Sequence, residues 1–415
     1  MSNYITGLDI GTTKIGAIIA ETNGDGSPKI VGVGTSPSEG LRRGVVVNLD
    51  KTVRSIQAAI EEAERMAGIE TCDVFAGIAG DHIRSINGRG VVAVAGPDNE
   101  ITQGDIRRVI DAAKAVALPI DREILHILPQ EFIVDDQQGI KDPVGMSGVR
   151  LEAEVHIVTG AITSAQNIYR SITRAGMQAM DLVLEPLASS YSVLTDDEKE
   201  LGVIIMDLGG GTTDLAMFFE GCIRHTSVVG LGGKNVTNDI ALGLRTPVDQ
   251  AERIKIEHGC AVHQDGDRDE TIEVPGVGGR APRRVSKALL VDIIQPRMEE
   301  ILSLACREMK KSDHIHLMTA GVVLTGGGSL LKGTVELAEE VFDMPVKLGI
   351  PQGFIGLTDL AQNPIHATGV GLVMYGLKHK NEVDELFGNS EHGMFKWVVD
   401  RMRRWFGSIS LNNSY

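Results

Sequence analysis

The order of apolar and polar positions predicts strands interleaved with helices, the pattern of an α/β protein. Apolar residues recur at helical spacing over 50–67, from Val53 to Ala63, and Gly68 ends that helix. The same spacing predicts helices over 103–116, 163–175, 182–194 and 287–309, and a helix-rich stretch over 235–257. The segment 83–94 predicts a hairpin that turns at Asn87-Gly88, and 322–325 predicts a buried strand.

One motif occurs twice between strand-like runs. The sequence Leu-Asp-Ile-Gly-Thr-Thr-Lys at 8–14 is matched by Met-Asp-Leu-Gly-Gly-Gly-Thr-Thr-Asp at 206–214, and a third glycine turn follows the strand at 322–325. Each copy predicts a tight turn between two strands. Two copies predict two related halves, with the three turns meeting at a cleft between them, where ligand sites commonly form.

These turns carry the chemistry of a phosphate site. Glycines allow backbone N–H groups to approach a phosphate chain, threonine hydroxyls add donors, and Asp9 and Asp207 suit a hydrated Mg²⁺, which prefers oxygen ligands. Lys14 is placed to reach the phosphates, although an exposed strand lysine has the same pattern. The nucleotide-binding residues predicted from the turns are Asp9, Gly11, Thr12, Thr13, Lys14, Gly209, Gly210, Gly211, Thr212, Thr213, Gly326, Gly327, Gly328 and Ser329.

Charge and composition narrow the class of protein. The 415 residues are enough for roughly two to four folded units. The formal charge of −16 repels nucleic acid and anionic lipid, so no nucleic-acid partner is expected, and contact with lipid requires a local basic segment. The four cysteines form no C-x-x-C pair, and the N-terminus lacks a signal-peptide pattern, so a cytoplasmic protein is expected.

The chain as a whole resembles the FtsA family of bacterial cell-division proteins, within the superfamily of actin, heat-shock chaperones and sugar kinases. The segments 128–132, 139–151 and 187–194 are similar to FtsA sequences, and the three turns look like the superfamily's phosphate-1, phosphate-2 and adenosine motifs. The resemblance implies an α/β fold of the actin-like ATPase type. In that fold two related halves surround a nucleotide cleft, and a small α/β domain, called 1C in this family, is inserted in the first half.

The resemblance also implies domain boundaries. The first-half core is expected at 1–82 and 161–199, the inserted domain at 83–160, and the second-half core at 200–235 and 313–378. A small domain of the second half is expected at 236–312, followed by a flexible linker at 379–393 and an amphipathic helix at 394–410.

By the same resemblance, Glu185 and Asp207 are the catalytic residues, with Glu185 positioning the attacking water for slow hydrolysis of ATP. Glu185 is also explained as an acid at a helix start, which the helix dipole favours. Glu252 and Lys255 are similar to residues that hold ribose and adenine in relatives. A Glu-Lys pair three residues apart is also a common surface ion pair. The cofactors implied are ATP and Mg²⁺.

The C-terminal segment 393–409 has the pattern of a helix that lies on a membrane. At about 100° per residue its bulky apolar residues fall within an arc of roughly 140°. Its four basic residues, less Asp400, give it a charge of +3 within a protein of −16. A terminal helix packed on the protein's own core is the alternative. The residues predicted to contact anionic lipid are Phe395, Trp397, Val398, Met402, Arg404, Trp405 and Phe406.

The resemblance implies partners and a place in the cell. The chain is expected to polymerise with itself and to bind the C-terminal peptide of the tubulin-like protein FtsZ, with Arg283, Lys287 and Arg297 as candidate contacts. A solvated basic face is the alternative for these three residues. Other division proteins are further expected partners, at the division site on the cytoplasmic face of the membrane. A pilus-assembly actin relative and a sugar kinase of the same superfamily are the alternative functions.

Overall fold

The computed structural model describes residues 4–22 and 27–387. The first part of the chain forms Tyr4–Ile10 (β1), Lys14–Thr22 (β2), Pro28–Pro37 (β3), Leu41–Arg42 (β4), Val45–Val46 (β5), Leu49–Ala67 (α1) and Asp73–Ile78 (β6). Next come Arg84–Ala93 (β7), Gln103–Ala113 (α2), Arg122–Val134 (β8), Gln137–Ile140 (β9), Arg150–Ala161 (β10), Ile162–Arg174 (α3), Gln178–Leu184 (β11), Glu185–Val193 (α4) and Asp196–Leu201 (α5).

The remaining elements belong mostly to the second half. They are Val203–Leu208 (β12), Thr213–Phe219 (β13), Cys222–Val229 (β14), Gly233–Gly243 (α6), Val248–His258 (α7), Thr271–Val274 (β15), Arg283–Ser286 (β16), Lys287–Met309 (α8), Val322–Thr325 (β17), Thr334–Phe342 (α9), Val346–Leu348 (β18), Ile355–Gly356 (β19), Thr358–Ala361 (α10) and Ala367–Phe387 (α11). Among the helices of the described residues, none is both long and apolar enough to span a bilayer.

The two halves repeat one sheet order. The first sheet runs β11-β6-β1-β2-β3-β19 and the second runs β14-β13-β12-β17-β18. In each sheet one strand leads into the turn of the repeated motif, here called the acidic turn because it follows Asp9 or Asp207. In the first sheet this strand, β1, pairs antiparallel with β2, which follows the turn, and parallel with β6. In the second sheet β12 pairs antiparallel with β13 and parallel with β17 in the same way. The two related halves predicted from the repeated motif are confirmed.

The inserted small domain lies between β6 and β11 and consists of the sheet β7-β10-β8-β9 with α2. The hairpin predicted at Asn87-Gly88 is wrong, because Arg84–Ala93 is one strand that pairs with β10 along its whole length. Its glycines serve helix packing instead. A Cβ at Gly90 would lie only 2.2 Å from the Val109 carbonyl oxygen of α2.

The inserted domain also contacts β14 of the second half through buried polar groups. The Gln130 side-chain amide donates to the Ile223 carbonyl at 2.7 Å. The His156 ring nitrogen Nε2 lies 2.9 Å from the Thr226 hydroxyl. Burial lowers the pKa of His156 to about 3, so the ring is neutral at physiological pH. These contacts form a seam between the inserted domain and the strand that leads into α6.

The last part of the described chain returns to the first half, which the sequence did not predict. Ile355–Gly356 pairs parallel with β3, and α11 packs on β1 and α4, with Val370 and Leu372 buried in the first-half core. The assignment of all of 313–378 to the second half is therefore wrong. The helix α11 also continues to Phe387, whereas the flexible linker was predicted from residue 379.

Other boundaries show which signals were reliable. The helix predicted over 182–194 begins only at Glu185, because the three residues before it complete the buried strand β11. The helix predicted over 287–309 and the strand over 322–325 are confirmed at both ends. Ser286 caps that long helix by accepting a hydrogen bond from the Leu289 amide.

Candidate functional site

The three glycine turns line one cavity of about 540 Å³ between the halves. The two acidic turns face each other closely enough that no side chain fits between them. A Cβ at Gly210 would lie 2.4 Å from the Thr13 side chain, and a Cβ at Gly211 would lie 2.6 Å from the Thr12 hydroxyl oxygen. Glycine is therefore required at both positions by the close approach of the turns, and the main-chain N–H groups remain available to a ligand.

The third turn reaches the site through strand pairing. Because β12 and β17 run parallel with Asp207 opposite Thr325, the turn that follows β17 lies beside the Asp207 carboxylate. Gly326 has φ of 80°, and a Cβ there would lie 2.1 Å from Asp207 Oδ1. This glycine is needed both for its left-handed conformation and for the space it leaves.

Three acidic side chains, Asp9, Glu185 and Asp207, line the cavity, and a fourth, Asp214, is buried near Glu185. Burial raises the pKa of each. The pKa of Asp9 rises to about 6 and that of Asp214 to about 7, and that of Glu185 rises well above its usual range. Asp9, Asp207 and Asp214 add to the effect on Glu185 by charge repulsion. Burial also raises the pKa of Asp207, opposed by hydrogen bonds from Thr368 and Ser189. Such a group of buried carboxyls favours a bound cation.

Lys14 is the basic residue of the first turn, and its charge opposes the burial that raises the pKa of Asp9 and of Asp207. It lines the cavity, and its ammonium donates to the Ile365 carbonyl at 2.6 Å. Burial lowers its pKa, opposed by Asp9 and Asp207. Of the two interpretations of this lysine, the structure supports the one that places it at the phosphate turns.

Glu252 and Lys255 lie on the cavity wall provided by α7. Their side chains form an ion pair at 2.8 Å, and Lys255 also donates to the Thr237 hydroxyl at 2.9 Å and to the Gly233 carbonyl at 3.2 Å. The pair is thus both an ion pair three residues apart and part of the cavity wall. Its contacts fix α7 against the start of α6.

Two residues predicted to bind nucleotide have their hydroxyls turned into the protein. The Thr213 hydroxyl donates to the Leu231 carbonyl at 2.9 Å, and the Ser329 hydroxyl donates to the Gly326 carbonyl at 2.7 Å. Both side chains are buried, so they hold the turns in shape rather than facing the cavity. Sequence alone does not give the direction in which such a hydroxyl points.

The structure also adds residues that were not predicted as part of the site. One is Asp214, which follows the second acidic turn; its place as the last residue of the second copy of the motif was a signal that could have indicated it. One of its carboxylate oxygens accepts from the Thr212 hydroxyl at 2.7 Å. The cavity is further lined, away from the acids, by Val236, Ile256, Met298, Leu330, Leu331 and Lys332.

The three residues predicted to bind an acidic peptide all lie in or beside α8, and the side chain of each already bonds to another residue of this protein. Arg297 pairs with Asp239 at 2.5 Å and also with Glu300, and Lys287 pairs with Asp267 at 3.3 Å and Glu270 at 3.1 Å. The Arg283 guanidinium donates to the neutral Leu244 carbonyl at 2.7 Å. The charge of Arg283 is therefore the most available of the three.

The residues predicted to contact lipid, from Phe395 to Phe406, lie outside the described residues. The prediction for that segment therefore rests on its sequence pattern alone.

Comparison with known proteins identifies relatives of both parts of the chain. A family model described as "Cell division protein FtsA" matches residues 204–371, and one described as "SHS2 domain inserted in FTSA" matches residues 80–159. The chain is 51% identical to the cell division protein FtsA of Pseudomonas aeruginosa and 41% identical to that of Escherichia coli K12. Each of these alignments covers 97% of both chains.

Solved structures show the same architecture at low sequence identity. A chain of the PilM-PilN type IV pilus biogenesis complex matches with a TM-score of 0.67 at 17% identity, covering 90% of this chain and 98% of its own. MreB5 of Spiroplasma citri bound to ADP matches with a TM-score of 0.56 at 14% identity, covering 94% and 99%. The actin-like fold with an inserted small domain, predicted from the sequence, is confirmed.

Proposed function

The chain belongs to the FtsA family of cell division proteins, and we propose that it is an ATP-binding adaptor that assembles with itself and tethers FtsZ to the cytoplasmic face of the membrane. ATP binding is supported by the close approach of two glycine turns at one cavity, which buried acidic side chains also line. The family membership supports the part in cell division.

The residues of the cavity fit a nucleoside triphosphate with Mg²⁺. The turns at Gly11 and at Gly209 to Gly211 would hold the phosphates through main-chain N–H groups, and Lys14 would add a positive charge. Within the described residues, no three His, Cys, Asp or Glu side chains come together as a metal-binding group. Asp9 and Asp207 would therefore hold Mg²⁺ through its water molecules, as this strongly hydrated ion prefers.

The apolar end of the cavity suits the base of the nucleotide. Val236, Met298 and Leu331 line it, and Lys255 and Glu252 stand at its edge, where a ribose or a ring nitrogen finds hydrogen-bonding partners. A cavity of about 540 Å³ falls within the usual size range of small-molecule sites.

Slow hydrolysis of ATP is the reaction that this arrangement supports. Glu185 lines the cavity at the start of α4, beside the acidic turns. Burial, together with repulsion from three neighbouring carboxyls, raises the pKa of Glu185 well above its usual range and so favours its protonated form. A bound cation would oppose that shift, and the Glu185 carboxylate would then accept a hydrogen bond from the attacking water molecule.

Replacing Asp207 tests the nucleotide site. Because Asp207 lines the cavity and lies beside Gly326 of the third turn, Asp207→Ala should abolish retention of a fluorescent ATP analogue measured at equilibrium in the presence of Mg²⁺. Asp265→Ala, in an exposed loop, should bind as the wild type does. The buried charge of Asp207 is costly to the folded state, so its loss should not unfold the chain, and a thermal melt checks this. Binding at wild-type affinity by the Asp207→Ala variant would contradict the proposal.

Membrane attachment is proposed for the basic, amphipathic segment 394–410. Burial of about five large apolar side chains contributes ~1.5–3 kcal/mol each, before the cost of ordering the segment is subtracted. Each Arg or Lys near anionic lipid adds about 1 kcal/mol. A truncated chain that ends at Gly393 should therefore lose sedimentation with anionic liposomes, while neutral liposomes should bind the full chain more weakly. Undiminished sedimentation of the truncated chain would argue against the anchor.

Binding of the FtsZ C-terminal peptide is proposed for the small domain of the second half. Arg283 is the strongest of the three candidate contacts, because it is exposed and bonded to a neutral carbonyl. Arg297 is already paired with two carboxylates, so an acidic peptide gains less from it.

A pilus-assembly function and a sugar kinase activity are not favoured. The pilus protein shares the fold at 17% identity, whereas relatives at 41% to 51% identity over the whole chain are cell division proteins.

A further inference from the structure

Two hydroxyl groups contact the carboxylate of Asp207 from the opposite half of the molecule. Ser189 Oγ lies 3.4 Å from Asp207 Oδ2, and Thr368 Oγ1 lies 3.2 Å from the same oxygen. The two hydroxyl oxygens are 3.0 Å apart. Ser189 is completely buried, and Thr368 and Asp207 are nearly so. The three side chains thus form a closed triangle at the base of the cleft.

The hydroxyl protons fix the direction of this carboxylate. Ser189 and Thr368 have one hydroxyl proton each, so either both donate to Oδ2, or one donates to the other and the second donates to Oδ2. In every arrangement Oδ2 accepts at least one hydrogen bond. The other oxygen, Oδ1, is directed at Gly326, where a Cβ would lie 2.1 Å away. The two oxygens of Asp207 therefore have different environments.

The contact joins the two halves. Asp207 lies near the end of β12 in the second-half sheet. Ser189 lies on α4, and Thr368 lies in the first turn of α11, which packs on the first-half sheet. The helices α4 and α11 approach closely because of Gly371, where a Cβ would lie 1.9 Å from the Ala188 carbonyl oxygen. This approach brings the two hydroxyls within reach of one carboxylate.

A neighbouring hydroxyl has a purely structural contact and provides a comparison. Ser192, also on α4 and also buried, donates to the Ala367 carbonyl at 2.7 Å. It joins the same two helices as Ser189 and Thr368 do, and its hydroxyl contacts main-chain carbonyls, those of Ser189 and Ala367. Removal of the Ser192 hydroxyl therefore measures the effect of the helix contact without the carboxylate.

We propose that Ser189 and Thr368 are a positioning pair that anchors Oδ2 of Asp207 and so directs Oδ1 toward the hydrated cation of a bound nucleotide. This inference rests on the proposed nucleotide function. Neither hydroxyl is a catalytic residue, since the pair acts through Asp207. The pair makes the cation site dependent on the closed arrangement of the two halves, because its hydroxyls belong to one half and the carboxylate to the other.

The test compares ATP affinity of the full chain with Mg²⁺ and with EDTA. Ser189→Ala and Thr368→Val should each reduce the Mg²⁺-dependent gain in affinity about tenfold, as for loss of a hydrogen bond to a charged group, with little change in EDTA. Thr368→Ser, which keeps the hydroxyl, should restore the gain. Ser192→Ala should keep the wild-type gain even where its melting temperature falls as far as that of Ser189→Ala.

Each other outcome rejects a definite statement. A wild type that binds no ATP rejects the proposed function. A wild type with a clear Mg²⁺ gain, together with Ser189→Ala and Thr368→Val variants that keep the gain, rejects the positioning pair alone. If Thr368→Val loses ATP affinity equally in EDTA and in Mg²⁺, Thr368 contacts the nucleotide directly, and its role as a positioning residue is rejected. A loss in Ser192→Ala equal to that in Ser189→Ala reduces the effect to helix packing and also rejects the pair.

Discussion

Asp214 shows how much of the cleft chemistry depends on single residues. Its position in the repeated motif was visible in the sequence, but its burial and its effect on Glu185 appear only in the folded chain. Asp9 and Asp207 both line the cavity, and the signal that placed them there was the second copy of the motif rather than either copy alone. The direction of the Thr213 and Ser329 hydroxyls was not predictable, because a hydroxyl donates to a main-chain carbonyl as readily as to a ligand.

The buried acids predict how stability depends on pH. The pKa of Asp214 is about 7 in the folded chain against a usual value of 3.8. Between these values the folded chain binds more protons than the unfolded chain, so this contribution to stability is lost as pH rises to about 7. In nucleotide-free protein, Asp214→Asn should therefore increase the free energy of unfolding at pH 8 by ~1–3 kcal/mol.

Urea unfolding at several pH values measures this effect. The difference between Asp214→Asn and the wild type should narrow toward pH 5, where the wild-type carboxyl is protonated in the folded chain. Asp265→Asn, in an exposed loop, serves as the control. A variant less stable than the wild type at pH 8 would show that the charge of Asp214 stabilises the fold.

Elements were predictable where one strong pattern decided them. The helix Lys287–Met309 has a long apolar period and a serine cap, and both of its ends were predicted. The strand Arg84–Ala93 was misjudged because Asn87-Gly88 is a common hairpin turn, whereas here its glycines leave room for α2. Only the tertiary packing distinguishes these two uses of glycine. Similarly, the end of β11 was assigned to the next helix, since a buried apolar run fits both elements.

Gly90 tests the packing of α2 on the inserted sheet. A Cβ at Gly90 would lie 2.2 Å from the Val109 carbonyl oxygen and 2.6 Å from the Ala113 nitrogen, both in the helix backbone. Gly90→Ala should therefore reduce the free energy of unfolding by ~1–3 kcal/mol or more, as in an overpacked core. Gly104→Ala provides the matched control, because its Cβ would meet only the Thr102 hydroxyl, at 3.4 Å. Chemical denaturation followed by circular dichroism measures both, and equal stabilities would contradict the packing role.

At the scale of the whole molecule, the sequence correctly predicted two related halves from its repeated motif and the inserted domain from its resemblance to FtsA. It did not predict that the last helix returns to the first half. That return depends on long-range packing of Val370 and Leu372 against a sheet formed some 350 residues earlier. It also did not predict the seam between the inserted domain and β14, which involves isolated polar residues without a local pattern.

The seam should restrict motion between the inserted domain and the second half. Gln130→Ala removes the hydrogen bond to the buried Ile223 carbonyl, an effect on the order of 1–3 kcal/mol. We expect faster amide hydrogen exchange in β14, over residues 222–229, while exchange in β17 stays unchanged. Gln137→Ala, at an exposed position of β9, is the control. Unaltered exchange in β14 would mean that the Gln130 hydrogen bond does not stabilise the contact between the inserted domain and β14.

The helix α11 connects the base of the cleft with the C-terminal end of the described chain. It begins beside Thr368, in contact with Asp207, and its 21 residues extend for about 30 Å at the rise of an α-helix. A helix of this length is stiff, so its two ends move together, and its first turn contacts the Asp207 carboxylate. A displacement of α11 along its axis would therefore move the Thr368 hydroxyl relative to Asp207 and weaken the contact between the two halves.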